Sequence, residues 1–379
     1  MAVRVRFAPS PTGQVHIGNI RTAIFNWLFA RHEKGEFLLR IEDTDLERST
    51  QDAIDKLMDC MQWLGLDYDG EVMYQSRRSA DHVTAATELK AKRFAYDGKP
   101  DESGRAPVYF RIPVAGDAGG AIRIIGPAER ELDAREAVKI APDGVSFAGL
   151  SAKGSPMPMA CCLAGVRELK LHAADGAELF DLEANLDAVL NGETFTVAGA
   201  AKMTFLRREV FYRDLIKGEL SKPLDGVKDQ IIVRSDGSPV FHLANVVDDI
   251  AQEVTHIIRG DDHVENTYRH ILLFHALGAP IPQYGHLPMI VNAAGKPYSK
   301  RDGDAFVGDF RTRGFLAEAL FNYLALLGWS PGDDREKLSK PEMIAAFTLD
   351  RVKSSAAQLD ANKLLNLNGL YVAELAPET

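Results

Sequence analysis

Two patterns of apolar and polar positions alternate over the first 64 residues. Residues 3–8 and 36–42 are short, mostly apolar runs that are typical of strands. Between them, from residue 18 to Gly35, apolar positions recur at helical spacing, and they do so again over residues 50–64. A strand, a helix and a second strand in this order predict a βαβ unit with a parallel sheet.

The middle of the chain changes character before the α/β pattern returns. Between residues 97 and 208, Gly, Ala and Pro are frequent, and the alternating runs AIRIIG, RELKLHA and TFTVAG predict strands. The later runs QIIVR and THIIR also predict strands, and residues 267–277 predict a helix capped by Asn266 or Thr267. From Phe315 onward the pattern is mostly helical. The chain therefore divides into a split α/β domain, an inserted β-rich module and a helical tail.

The composition is that of a globular chain with an acidic average surface. Of the 379 residues, 46% are hydrophobic and 26% are charged, and 44 Lys and Arg against 54 Asp and Glu give a formal net charge of −10. These values exclude a disordered chain, a collagen-like repeat and a disulfide scaffold. The negative charge also excludes a uniformly basic nucleic-acid binder.

The number and spacing of the cysteines, together with the hydropathy of the chain, indicate the cellular compartment in which the protein is expected. Cys60, Cys161 and Cys162 form no C-x-x-C pair and do not supply the four ligands of a zinc cluster. We therefore expect reduced thiols, a reducing compartment, and no structural zinc or other metal site. Neither a membrane span of about 18 apolar residues nor the apolar stretch of a signal peptide is found in the sequence. These features predict a cytoplasmic protein without a membrane partner.

A loop after the first predicted strand has the features of a phosphate site. Pro9 and Pro11 stiffen the loop, and a helix begins near Gly18. Free N–H groups and the positive end of the helix dipole would then face the edge at which parallel sheets bind ligands. His16 can add a side-chain donor, and Gly18 allows a flat ring to approach the backbone. A structural turn in which His16 packs locally is the alternative.

Two further segments carry charges that are suited to ligand binding. Residues 40–45, RIEDTD, place acidic residues at the end of the second predicted strand, at the same edge, where a carboxylate can bind an ammonium group. Asp43 and Asp45 are equally suited to cap the next helix. Residues 295–303, GKPYSKRDG, place Lys and Arg between two glycines, where mobile cations can follow the charge that develops on phosphates.

Together these segments resemble a known family. The stretch around His16 is similar to the H-I-G-H motif of class I aminoacyl-tRNA synthetases, and residues 297–301 are similar to their K-M-S-K-S loop. The resemblance to glutamyl-tRNA synthetases in particular is carried by the runs RFAPSPTGQVHIGNIRTAIFNWLFAR, LLRIEDTDLERS, FHLANVVDD, IIRGDDHVENTYRHILLFHALG and NYLALLGWSPGD. It covers residues 1–96 and 209–370.

The resemblance implies a fold, a set of domains and a reaction. The implied fold class is α/β, with a Rossmann-like parallel-sheet catalytic domain split by a β-rich α+β insertion and followed by a helical stem-contact region. The implied catalytic halves are residues 1–90 and 226–312, the acceptor-stem-type insertion is 91–225 with an atypical segment at 114–208, and the helical region is 313–379. The implied reaction is ATP-dependent attachment of glutamate to tRNA(Glu) through glutamyl-adenylate, by a monomer that uses ATP with Mg²⁺.

The family pattern also implies roles for individual residues. ATP would be contacted by His16, Gly18, Asp262 and Lys300, and catalysis would use His16, Gly18, Ser299 and Lys300. The amino acid would be held by Arg6, Ala8, Ser10, Glu42, Phe241, Asn245 and Arg259. Arg6 would bind the side-chain carboxylate, since a fixed guanidinium matches carboxylate geometry, and Glu42 would accept the α-ammonium group. An ion pair with a neighbouring residue is the alternative for Arg6.

Four features depart from the family pattern. Pro297 stands where lysine is usual, Phe241 stands where tyrosine is common, residues 114–208 are unlike the usual insertion, and the chain stops where an anticodon-binding region would begin. The last feature leaves open a fragment or an enzyme that recognises tRNA without that region. Two other functions stay open, namely glutamyl transfer to a modified base of tRNA(Asp), of the glutamyl-queuosine type, and a non-catalytic tRNA-binding paralogue.

Overall fold

The structure, a computed structural model, describes residues 2–45, 48–299, 301 and 303–375. In these residues the helices α1 to α10 span, in chain order, Ile17–His32, Gln51–Trp63, Ser79–Ala91, Leu182–Leu190, Phe241–Ala251, Val264–Leu277, Val307–Thr312, Ala317–Leu326, Lys340–Ala346 and Ala361–Val372. The strands β1 to β19 span Arg4–Phe7, Glu36–Ile41, Met73–Tyr74, Ala95–Asp97, Val108–Phe110, Ile122–Glu131, Val138–Ala141, Gly144–Leu150, Pro156–Cys161, Val166–His172, Glu178–Asp181, Phe195–Val197, Lys202–Asp214, Gly218–Pro223, Gln230–Val233, His256–Gly260, Gln283–Leu287, Ile290–Val291 and Ala357–Gln358. This order confirms the predicted α/β class.

The predicted βαβ unit is present at the start of the chain. Strands β1 and β2 flank α1 and form a parallel pair in which Arg6 lies opposite Leu38. Helix α1 begins after His16, whose Nδ1 accepts a hydrogen bond from the backbone N–H of Gly18 (3.0 Å). Most of α1 is buried, because β1, β2 and β16 lie against it and so do α8 and α9.

A third strand reaches the same edge of the molecule from much later in the chain. Strand β16 runs parallel to β17, and the backbone N–H of Thr255, just before β16, donates to the carbonyl of Arg4 (2.9 Å). Residues from the carboxyl ends of β1, β2 and β16 line one cavity. This is the position at which open parallel sheets bind ligands.

The middle of the chain forms antiparallel sheets, as its alternating runs predict. Strands β6, β10 and β14 pair with the long strand β13, and β7, β8, β9 and β12 form another sheet. The predicted strands AIRIIG, RELKLHA and TFTVAG are confirmed as β6, β10 and β12. At the end of β13, Asp214 pairs with Tyr284 of β17, so the β-rich module is continuous with the sheet that carries β16.

Helix α6 starts earlier than the sequence predicts. A 3-10 turn over Asp261–His263 leads directly into the helix at Val264, so the prediction that Asn266 or Thr267 caps it is wrong. Both residues lie in the first turn. There the hydroxyl of Thr267 lies 3.2 Å from the backbone carbonyl of His263 and donates to it, a local bond that Thr makes readily within a helix.

The last part of the chain is mostly helical, as predicted, and α8 packs against both α1 and α10.

Among the described residues, no helix is both long and apolar enough to cross a membrane. Strand β15, which falls in the expected second catalytic half, pairs with β5 of the expected insertion. The domain boundaries stay predictions.

Candidate active site

A cavity of about 540 Å³ opens at the ends of the parallel strands. Its volume is that of an ordinary small-molecule site. Its wall contains the predicted site residues Arg6, Ala8, Ser10, His16, Gly18, Glu42, Phe241, Asn245, Arg259 and Asp262. The structure therefore brings together the residues expected to bind ATP and those expected to bind an amino acid.

The basic loop reaches this cavity in part. Pro297 and Tyr298 line it, and the backbone N–H of Tyr298 donates to the carbonyl of Ile290 (2.9 Å). Ser299 follows just beyond the lining residues, and its Oγ accepts from the backbone N–H of Arg301 (3.4 Å). Lys300 lies outside the described residues, so its expected part in catalysis and ATP binding stays a prediction.

His16 combines a structural position with access to the cavity. Because its Nδ1 accepts from Gly18, the neutral ring carries its proton on Nε2. Burial lowers the pKa of His16, and a backbone hydrogen bond with Tyr298 acts in the opposite direction. The ring is thus a neutral donor at the N-terminus of α1, where the dipole favours an anion. His16 therefore packs locally, as the alternative interpretation expects, and it also lines the cavity.

A network of buried ions adjoins the cavity. Asp249 accepts from Arg6 Nε (2.9 Å) and Nη2 (3.3 Å) and from Arg40 Nη1 (2.6 Å). Glu42 Oε1 accepts from Arg40 Nη2 (3.2 Å) and from Asn245 Nδ2 (2.9 Å). Burial alone would lower the pKa of Arg40 and raise that of Asp249, but the pairing reverses both directions. Arg40 and Asp249 therefore stay ionised, and the hydrogen bonds of the network hold its side chains in place.

Arg6 takes the ion pair that the sequence left as its alternative. Its bonds to Asp249 use Nε and Nη2, so Nη1 is the atom through which Arg6 would contact a ligand. Sequence reasoning missed Asp249 and Arg40. A signal was present, because an arginine inside the apolar run EFLLRIE and acids on the apolar helix FHLANVVDDIA need buried partners.

Arg259 is a buried cation of a different kind, only 6% exposed at the end of β16. Its Nη2 donates to Thr267 Oγ1 (2.6 Å) and to the carbonyl of His263 (3.4 Å). Its Nε donates to His286 Nε2 (3.4 Å), and its Nη1 donates to His270 Nδ1 (3.4 Å). Burial lowers the pKa of Arg259. These four acceptors are all uncharged, and sequence reasoning missed Thr267, His270 and His286.

The acids after β2 have separate positions. Glu42 lines the cavity, whereas the carboxylate of Asp43 accepts from the backbone N–H and the Oγ of Ser76 (2.8 and 2.7 Å). Asp45 forms an exposed ion pair with Arg48 (2.6 Å). Helix α2 is capped by Thr50 instead, so the alternative that Asp43 or Asp45 caps it is wrong.

Several polar atoms in the cavity wall are left for a ligand. Arg21 Nε, Asn245 Oδ1 and Asp261 Oδ1 are buried and make no hydrogen bond within the described part of the chain. Burial lowers the pKa of Arg21 to about 10. Buried polar atoms without protein partners are rare in proteins, and here they mark a site for a polar ligand. Arg21 was also missed from the sequence.

The cysteines lie apart from the cavity lining. Cys60 is buried, Cys161 and Cys162 are half-buried, and burial raises the pKa of Cys60 and Cys162 to about 11 and that of Cys161 to about 12. Such thiols are unreactive. Over the described ranges, no three His, Cys, Asp or Glu side chains are placed together to hold a metal ion.

Fold and cavity together have the features of a Rossmann-type α/β domain with a ligand site at its strand ends. The family of class I tRNA synthetases for E and Q, catalytic domain, matches residues 2–103 and 196–366. This chain belongs to that family, as the sequence resemblance predicts.

Individual relatives agree with this assignment. The glutamate–tRNA ligase of Neisseria meningitidis serogroup C (strain 053442) is 40% identical over 375 residues, which are 98% of this chain and 68% of the relative. That of Oleidesulfovibrio alaskensis is 40% identical over 374 residues, 98% of this chain and 67% of the relative. A crystal structure of a glutamate tRNA ligase from Elizabethkingia meningosepticum, in complex with its amino acid, matches with a TM-score of 0.69 at 26% identity, covering 100% of this chain and 71% of that one.

Proposed function

We propose that this chain is a glutamate–tRNA ligase that attaches glutamate to tRNA(Glu) through a glutamyl-adenylate intermediate. The observation that carries the proposal is the cavity, which joins the N-terminus of α1 to three buried arginines and Glu42. Membership of the family and the names of the relatives support it. They do not favour the modified-base transferase or the non-catalytic paralogue.

The amino acid would lie against the buried ions. Glu42 would accept the α-ammonium group, with Asn245 holding the carboxylate in place (2.9 Å). Arg6 and Arg259 would face the carboxylates, and Ala8, Ser10 and Phe241 would form the wall around the side chain. Glutamine lacks the side-chain charge, so it would leave a buried guanidinium without its anion, and a site built in this way rejects such an analogue strongly.

ATP would lie at the other side of the cavity. The first N–H groups of α1 are bonded within the chain, so the helix would attract the phosphates through the positive end of its dipole. The Nε2–H of His16 would donate to a phosphate oxygen, and Gly18 would leave room for the adenine ring. Asp262 also lines this side. Ser299 and Lys300 would stabilise the phosphates during transfer. Mg²⁺ would be held mainly through the phosphates of ATP, as is usual for this ion.

The reaction then needs mainly positioning and electrostatics. A carboxylate oxygen of glutamate attacks the α-phosphorus of ATP, and pyrophosphate leaves. A hydroxyl of the 3′-terminal adenosine of tRNA next attacks the acyl carbon, and AMP leaves. We propose that a monomer carries out both steps.

A charging assay tests the proposal. The purified chain is mixed with ATP, radiolabelled glutamate and total tRNA at high concentration, and label on tRNA is followed with time. We expect ATP-dependent glutamyl-tRNA, and the absence of charged product from a folded protein would overturn the proposal. Periodate treatment of the product separates the two acceptors, because an ester on the terminal ribose protects its diol whereas a glutamylated base does not.

A further inference from the structure

Two histidines that the proposed mechanism does not use extend in a chain from Arg259. His270 on α6 is completely buried, and its Nδ1 lies 3.4 Å from Arg259 Nη1. Its other ring nitrogen, Nε2, lies 3.1 Å from Nδ1 of His242 on α5. The two imidazoles meet nearly edge to face, at 74° with centroids 5.3 Å apart. A continuous chain of hydrogen bonds therefore runs from Arg259 through His270 to His242.

The direction of these bonds follows from the chemistry of the donors. A guanidinium can only donate, so Nδ1 of His270 must be an acceptor without a proton. A neutral His270 then carries its proton on Nε2 and donates it to Nδ1 of His242. Burial, with the charge of Arg259 as the next cause, lowers the pKa of His270 well below its ordinary value, so the ring is neutral near pH 7.

The same argument gives the tautomer of His286, which contacts the Nε edge of Arg259. His286 Nε2 accepts from Arg259 Nε (3.4 Å), so the proton of His286 is on Nδ1. That N–H donates to Asp214 Oδ2 (2.5 Å). The imidazole of His286 thus separates the carboxylate of Asp214 from Arg259. The groups that accept directly from the guanidinium are uncharged.

We propose that His270, oriented by His242, is a positioning residue that holds the Nη1 edge of Arg259 for a carboxylate of the amino-acid substrate. This inference rests on the proposed function. A buried guanidinium gains most from an anion when its neighbours are neutral acceptors, because they fix its orientation without neutralising its charge. Arg6 and Arg40 already share Asp249, whereas the four hydrogen bonds given above for Arg259 all go to uncharged acceptors.

Substitution at position 270 tests the idea through the glutamate dependence of charging. His270→Leu removes the acceptor, and we expect the glutamate KM to rise about tenfold or more while the ATP KM stays within about twofold. His270→Gln keeps an acceptor for Arg259 and a donor for His242, so it should restore the glutamate KM to within about threefold of the unsubstituted chain. His275→Leu is the matched control on the same helix, because His275 packs against Phe94 instead.

Three results would overturn the proposal in a protein that charges glutamate. These are an unchanged glutamate KM in His270→Leu, an equal effect of His275→Leu, and a failure of His270→Gln to restore the KM. If the unsubstituted chain charges no glutamate, the proposed function fails on its own.

A measurement on the unsubstituted full chain does not depend on whether a variant folds. Nuclear magnetic resonance of ¹⁵N-histidine-labelled protein reports which ring nitrogen of each imidazole carries the proton. We expect the Nε2–H form for His270 and His242 and the Nδ1–H form for His286. A proton on Nδ1 of His270 would contradict the relay, whether or not the chain charges tRNA.

Discussion

Glu42 illustrates how one side chain can be prepared for an ammonium group. It is 7% exposed, and one of its oxygens, Oε1, accepts from both Arg40 (3.2 Å) and Asn245 (2.9 Å). These two bonds fix the carboxylate beside the cavity. The same Arg40 also binds Asp249 (2.6 Å), so its charge is shared and Glu42 keeps negative character for a ligand.

Neutralising Glu42 should therefore weaken glutamate binding. In Glu42→Gln we expect the glutamate KM to rise about 10- to 100-fold, because a hydrogen bond to a charged group contributes about 1.5–3 kcal/mol. The measurement is the glutamate dependence of tRNA charging at saturating ATP. Glu36→Gln, at the start of the strand that precedes Glu42, is the control, since Glu36 pairs with Arg4 near the surface. A KM in Glu42→Gln that equals the control would contradict this role.

Sequence reasoning found the cavity residues that immediately follow strands or begin helices. A carboxylate at Glu42 was predicted because it ends a strand that opens on the expected edge, whereas Arg6 and Arg259 were predicted from the family resemblance. Their partners were not predicted. Asp249 lies 243 positions from Arg6, and His270 meets Arg259 across the turn that joins β16 to α6. No local pattern specifies which distant residue completes such a network.

Two helices are tied together by a single buried carboxylate. Asp248 on α5 accepts from Gln75 Nε2 (2.9 Å), from Arg78 Nε (2.7 Å) and from His82 Nε2 (2.8 Å) on α3. Burial alone would raise the pKa of Asp248, but the bond from His82 and the nearby Arg40 hold it below its ordinary value. The segment that leads into the β-rich module is thus anchored to the cavity-forming helix α5.

Removing this charge should destabilise the protein. Asp248→Asn leaves Arg78 with a weaker partner, and we expect a loss of about 3 kcal/mol in the free energy of unfolding, read as a lower urea midpoint. Asp81→Asn removes the exposed carboxylate that also pairs with Arg78 (3.0 Å), and it should cost less than about 1 kcal/mol. Equal midpoints for the two variants would show that the buried tie contributes little.

Helices and strands were predictable where one local pattern dominates. Residues 50–64 carry an apolar face and a Thr cap, and α2 lies there as predicted, at Gln51–Trp63. The start of α6 was missed because an acidic turn, Asp261–His263, continues into the helix without a side-chain cap. The order of the strands in the sheets could not be predicted from local patterns. The pairing of β13 with β17, for example, joins segments that are separated by the whole of α5 and α6.

Several imidazoles of the chain are buried or half-buried and resist protonation. Burial is the largest cause that lowers the pKa of six of its ten histidines, namely His16, His242, His256, His263, His270 and His286. For His242 the value is about 4. Four of the six, on α5, α6, β17 and the turn before α6, surround the cation of Arg259, which opposes their protonation further.

Stability should therefore fall as the solution becomes mildly acidic. An unfolded histidine binds its proton near pH 6.5, so below that pH the unfolded state holds more protons than the folded one, and folding is disfavoured. The contribution is complete above about pH 6.5 and is lost progressively below it. The urea midpoint should drop between about pH 7.5 and pH 5.5, a window above the titration of most carboxylates. His242→Asn should show a shallower drop, and a midpoint that does not change across the window would contradict the prediction.

The most direct test of the central claim compares two amino acids on the unsubstituted chain. Labelled glutamate and labelled glutamine are offered separately with ATP and total tRNA, and label on tRNA is followed with time. We predict ATP-dependent charging with glutamate and at least about 100-fold slower charging with glutamine, because glutamine lacks the side-chain carboxylate that the proposed site would bind through a buried guanidinium. A folded protein that charges neither amino acid, or that charges glutamine as fast as glutamate, would contradict the account.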